Sequence, residues 1–215
     1  MNRRFLLYMV GLVLCLFIST ALGYDYLEGG YVRSTDRSST MEPGIAGMVK
    51  WLDLPVPSST FSPYREYYTA YTTTISPVAS SSLGSPVPYD ITGKTPYGVF
   101  YRNGLWLPYA TYASYQSVPS NDLWISGQTN WTQYALMPVG ASLQMLASVP
   151  AGGMGSLYEV VQSNAVKTEY KTAQFNIGYS SMTFYAGQAG RYMFYYVINN
   201  QPSNIVVIDV FNQAT

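Results

Sequence analysis

The sequence has no histidine and a single cysteine among 215 residues, and charged side chains make up only 10% of it. Without histidine, Ser-His-Asp and Cys-His catalysis and every His-ligated metal site drop out together. Cys15 stands in the apolar context "LVLCLF" rather than beside a small-residue lipobox, which argues against a lipid anchor there. Loss of the first 23 residues would leave no cysteine, and with it no disulfide framework and no thiolate chemistry. Eleven basic residues balance eleven acidic ones. Lys50, Arg65, Lys94, Arg102, Lys167, Lys171 and Arg191 are scattered singly, so no basic stripe is available to neutralise phosphates and no nucleic-acid partner is expected.

What the sequence does hold begins with Arg3 and Arg4 ahead of an apolar run from Phe5 to Ile18, closed by the small residues of "STALG". This is the layout of an export signal, cut after Gly23. The alternative is an uncleaved signal anchor, because the apolar region extended to Leu22 reaches a length marginal for spanning a bilayer. Residues 1–23 are therefore expected to be a signal helix that places the rest of the chain outside the cell or on its surface.

The remainder has two textures. Residues 24–118 are broken by prolines and Ser/Thr runs, which forbid long helices and confine strands to edges and short pieces. Ten tyrosines from Tyr64 to Tyr115 set this region apart from disordered linkers, which are poor in aromatics. An irregular or short-strand Pro/Tyr/Ser/Thr-rich region that packs on its neighbour is expected. In residues 119–215 apolar runs such as "LWISG", "ASLQMLASV" and "RYMFYYVIN" recur between turn signals, the spacing of an all-β antiparallel sandwich.

Alternation assigns faces. In "RYMFYYVI" Tyr192, Phe194, Tyr196 and Ile198 point one way and Met193, Tyr195 and Val197 the other, as in a central strand covered on both sides. Asp209, near the end of "NIVVIDV", marks the wetter face of the next strand, and Asn199 to Asn204 join the two as a hairpin. The stretch "AGQAGRY" resembles the E-to-F corner of immunoglobulin-like domains, with Tyr192 as the corner tyrosine. The paired cysteines of that family are absent, so the resemblance implies only the immunoglobulin-like sandwich architecture. The succession "LWISGQTNWTQYALMPVGASLQMLA", "GGMGSLYEV" and "FYAGQAGRYMFYYVINNQPSNIVVIDV" resembles an uncharacterised group of exported, β-rich proteins of methanogenic archaea over residues 119–215. That resemblance implies export and a β fold, and no catalytic residue.

Few constellations carry chemistry. Glu66, Asp90, Asp122, Glu159 and Asp209 are among eleven carboxylates with no spacing that brings a hydrolytic pair together, and they read as solvated surface charges. No calcium-loop pattern occurs. "PAGGMGSLY" fails the phosphate-loop spacings and reads as a hairpin loop. Asn130, in the sequon "NWT", is a candidate glycan acceptor. The tyrosine clusters Tyr64, Tyr67, Tyr68, Tyr71 and Tyr109, Tyr112, Tyr115 are the candidate contact surface, since tyrosine gives large contact area at low entropic cost. Most of these rings are expected to pack on the sandwich with their hydroxyls wet.

The sequence thus reads as an exported, non-enzymatic structural or adhesive protein with no cofactor and no metal. Its expected partners are cell-envelope proteins or glycans, with self-association also open and the membrane touched only through an uncleaved N-terminal segment. The alternative is a carbohydrate-binding module built on Tyr and Trp platforms.

Overall fold

The computed structural model describes residues 68–70, 80–101, 105–115 and 120–212. The expected signal segment, and Tyr64, Glu66, Tyr67 and Tyr71, lie outside the described residues. Among the described residues fifteen strands form two sheets. One has the order β1 (Tyr68–Ala70), β8 (Tyr134–Pro138), β15 (Val206–Phe211), β13 (Gly190–Ile198), β10 (Gly153–Gln162), β11 (Val166–Phe175), with β14 (Gln201–Pro202) beside β13. The other runs β2 (Ser82–Leu83), β12 (Gly178–Tyr185), β9 (Ser142–Val149), β6 (Asp122–Ser126), β7 (Asn130–Thr132), β4 (Gly98–Tyr101), β5 (Leu105–Pro108), with β3 (Val87–Pro88) beside β12.

The all-β sandwich is present, but its sheets are mixed rather than antiparallel. β8 runs parallel to both β15 and β1, and β4 runs parallel to β7. One cause is that a nearly continuous segment, β7 into β8, leaves the second sheet at Gln133 and enters the first, so its direction there is fixed by its course in the other sheet. Strands from residues 82–108 pair with β12 and β7, so the textural change near residue 118 does not divide the two sheets. "PAGGMGSLY" is also not a hairpin loop, because β9 and β10 belong to different sheets. Gly152 at φ 62° and Gly153 at φ 129° make the crossing in backbone conformations that favour glycine.

The core lies between the sheets. Tyr192, Phe194, Tyr196 and Ile198 of β13 and Val206, Ile208 and Val210 of β15 meet Leu123 and Ile125 of β6, Met145 and Ala147 of β9, and Met182 and Phe184 of β12. As alternation predicts, β13 is central and closed on both faces, with Met193 and Tyr195 buried on the far side among Tyr134, Leu136 and Val207. Asn199 and Asn200, at φ 52° and 58°, form the two-residue primed turn between β13 and β14, which side-chain hydrogen bonding lets Asn tolerate. The corner before β13 is tied as expected: the Tyr192 hydroxyl donates to Gln188 O at 3.0 Å and lies 2.7 Å from Ser81 Oγ. Ser81 Oγ in turn accepts the N–H groups of Gly187 and Gln188.

Asp209 does not mark a wet face. It is fully buried, directly opposite Arg191 in the β13–β15 register. Arg191 Nε and Nη2 donate to its two oxygens at 2.7 and 2.9 Å, and the Tyr134 hydroxyl donates to Oδ2 at 2.7 Å. A carboxylate survives in such a place only with its lone pairs filled, and the planar guanidinium fills two at once.

Candidate functional site

Among the described residues, the most exposed aromatic pair stands at the β4–β5 end of the second sheet. Gly98 and Asn130 are partners in the parallel β4–β7 register, so they share a face, and Val99 and Trp131 turn to the other. That other face is covered by a second aromatic core: Trp124, Trp131, Tyr112, Val99 and Leu146. The first face carries Trp106, whose indole lies over Gly98. A Cβ placed on Gly98 would meet Trp106 Cε2 and Nε1 at 2.6 Å and Leu107 O at 2.7 Å, so only glycine admits the ring.

Tyr97 completes the pair. Its N–H donates to Thr129 O at 2.6 Å and its carbonyl accepts the Tyr109 N–H at 3.1 Å, which fixes the backbone from both sides. The Tyr97 and Trp106 ring centroids are 5.6 Å apart at 35°, with Tyr97 74% and Trp106 38% exposed. Trp106 Nε1 donates to Asn130 Oδ1 at 3.2 Å, and Asn130 Nδ2 donates to Thr129 Oγ1 at 3.1 Å. Two aromatic surfaces and an oriented amide therefore share one solvent-facing patch. Rings provide apolar faces for C–H groups, and the amide provides polar specificity.

The expected contact tyrosines fare unevenly. Tyr109–Tyr115 form a helix, α1, where extended structure was expected. This helix lies against the sheet, so Tyr112 is only 3% exposed and meets Trp124 edge-on at 5.4 Å. Its hydroxyl donates to buried Asp122 Oδ2 at 3.1 Å, and burial followed by the Asp122 charge pushes its pKa up. Tyr112 is therefore a core residue and is withdrawn from the contact surface. Tyr109 is half-buried, edge-on to Trp131 at 5.6 Å. Tyr68 opens β1 opposite Tyr134, and Tyr115 closes the helix. Tyr97 and Trp106 were missed because neither belongs to a tyrosine cluster. A Gly one strand across from a Trp was the signal that could have found them.

Among the carboxylates, Asp122 is buried beneath Tyr112 and Ser120. Asp90 is exposed and held below its ordinary pKa by the Thr92 N–H, which donates to it at 2.9 Å. Glu159 and Glu169 are direct cross-strand partners in β10 and β11. They line a small cleft with Leu83, Leu157, Tyr170 and Lys171. Burial, and then the facing Glu169, raise the Glu159 pKa. A carboxyl that binds its proton more tightly when folded adds stability in acid, which is lost as pH rises through the raised folded value. Glu159→Gln is therefore expected to be more stable than wild type at pH 7, with the advantage vanishing toward pH 4. Urea unfolding at the two pH values checks this; an advantage that persists at pH 4 would contradict it.

Among the described residues no group of three His, Cys, Asp or Glu side chains is placed to hold a metal ion. No described helix is long and apolar enough to cross a membrane. No protein-family model matches the sequence, and comparison with curated proteins gives no match.

Proposed function

We propose that this chain is an exported, non-enzymatic cell-surface protein in which an immunoglobulin-like sandwich presents aromatic surface for structural or adhesive contacts, with glycans as the favoured partner. The observation that carries this reading is the Tyr97–Trp106 pair, exposed on a bed of glycine and aimed by the Asn130 amide. An apolar platform with a neutral amide beside it suits a sugar, whose C–H faces stack on rings while its hydroxyls take hydrogen bonds. The export reading rests on the N-terminal basic and apolar segment and on the resemblance of residues 119–215 to exported archaeal proteins. The tied Tyr192 corner supports the immunoglobulin-like reading.

Asn130 itself is proposed as a glycan acceptor. Its Oδ1 and one Nδ2 proton are engaged, which leaves the second Nδ2 proton as the one replaced when a sugar is attached. Thr132 of the sequon is buried. The sequon would therefore be read before β7 is laid into the sheet.

The test is binding of the full chain to a glycan array and to envelope polysaccharide, with intact-mass measurement of the same native preparation for a sugar on Asn130. Trp106→Ala is expected to weaken binding about tenfold or more, as removal of a central aromatic anchor does, while unfolding midpoints report that the sandwich remains. Unchanged binding in Trp106→Ala and Tyr97→Ala together would rule out the platform.

A further inference from the structure

β11 is the outermost strand of the first sheet. Ten residues long, it bonds to β10 on one side, and among the described residues no strand lies on the other. Residues 166–172 are all exposed. Long open edges normally carry a device against pairing, or a partner. Three features of this edge favour a partner with the same sequence.

The first is a ladder of tyrosines. Tyr195, Tyr158 and Tyr170 are direct cross-strand partners on β13, β10 and β11. Tyr158 stacks on Tyr195 at 4.6 Å and 3° and meets Tyr170 at 5.5 Å and 31°. The ladder ends at the edge with Tyr170 68% exposed. The second is register. In antiparallel pairing of two copies about a two-fold axis through Tyr170, near the strand's midpoint, Tyr170 faces its own copy. The ladder then continues from one molecule into the other, and Thr168 faces Thr172. The third is charge. The same axis sets each Glu169 opposite the other copy's Lys171, whereas an axis one residue earlier would oppose Lys167 and Lys171, like charge to like.

From these we infer that β11 pairs with β11 of a second copy, antiparallel about Tyr170, to join the first sheets of two molecules into one. The inference does not depend on the Tyr97–Trp106 platform, which belongs to the other sheet. A single-strand interface is small, so the association is weak and concentration-dependent.

Sedimentation equilibrium of the full chain is expected to show a monomer–dimer equilibrium. Glu169→Lys leaves only cations along the face formed by residues 167, 169 and 171, and is expected to raise the dissociation constant at least tenfold. Glu169→Lys with Lys171→Glu restores the facing charges in the Tyr170 register and is expected to recover dimerisation. Lys171 also donates to Leu83 O and Gly84 O, so a second measurement guards against loss of that clasp. Tyr170→Cys in a Cys15→Ser background is expected to form a disulfide-linked dimer on mild oxidation, and Val166→Cys in the same background is not. A wild-type chain that stays monomeric at about 1 mM, or a Val166→Cys chain that crosslinks as well as the Tyr170→Cys one, would overturn the inference.

Discussion

Asp209→Ala is expected to cost about 3–5 kcal/mol of folding stability, a large part of the roughly 5–15 kcal/mol that holds a domain together. The reason is what remains behind. Arg191 is fully buried, so without Asp209 its guanidinium is a charge in a dry interior with two donors unanswered. The Tyr134 hydroxyl loses its acceptor in the same step. Urea unfolding would show a lower midpoint with little change in slope. If the loss reflects the stranded charge and not missing volume, Arg191→Met with Asp209→Leu should recover most of it, because two apolar side chains in place of a buried ion pair are often neutral or stabilising. A double variant as unstable as the single one would show instead that packing around Asp209 is what matters.

Asp209 also shows where reading the sequence succeeds and where it stops. Alternation correctly placed Asp209 on the face of β15 opposite Val206, Ile208 and Val210. What one strand cannot show is that this face is also covered, or that Arg191 stands across from it. Cross-strand partners are set by register, and the Asn199–Asn200 turn, legible because few other residues accept positive φ twice in a row, fixes only Ile198 opposite Gln201; one extra residue between β14 and β15 then shifts the pairing so that Arg191 faces Asp209 rather than Ile208. Tyr192 was legible for a similar reason, since the glycines before it and its own hydroxyl, which bonds back to Gln188 O, specify a local device. Parallel pairing of β8 with β15 was not, because it depends on a strand that changes sheets at a residue, Gln133, with no special local preference.

The candidate site divides along the same line. The tyrosine density of "YATYASY" announced aromatic packing, yet a seven-residue helix turned Tyr112 inward against Trp124. Proline-rich surroundings had argued for extended chain, but no proline lies inside residues 109–115, and Ala110 and Ala113 favour the helix. Trp106 needed a glycine beneath it from another strand, a relation between residues eight apart in sequence whose meaning appears only once β4 and β5 pair as a hairpin. The dipeptide Asn103-Gly104 was the available hint of that pairing.

Asn204→Ala is expected to cost about 2–4 kcal/mol, more than loss of one ordinary hydrogen bond, because Asn204 replaces a piece of strand. β6 pairs with β9 along one edge, while β7 reaches only Ile125 and Ser126 on the other. Leu123, two residues earlier, therefore presents a buried N–H and C=O with no strand beside them. Asn204 answers both: its Oδ1 accepts the Leu123 N–H and its Nδ2 donates to Leu123 O, each at 2.7 Å. Because Asn204 follows β14 in the first sheet and Leu123 is in the second, this amide stitches the two sheets where the core ends. Alanine would strand both backbone groups away from water, and the penalty for each falls on the protein in full. Asn204→Asp keeps the acceptor but turns a carboxylate toward the Leu123 carbonyl, so it should do no better than alanine. Asn121→Ala offers the contrast: buried Asn121 donates from Nδ2 to Gln201 O at 2.6 Å and more loosely to Ile198 O at 3.4 Å, but it answers no strand N–H, so the cost should stay near about 1 kcal/mol. Hydrogen exchange locates the effect, with the Leu123 amide losing protection in Asn204→Ala before its β9 neighbours do. Equal losses for the two asparagines would refute the view that Asn204 acts as a surrogate strand.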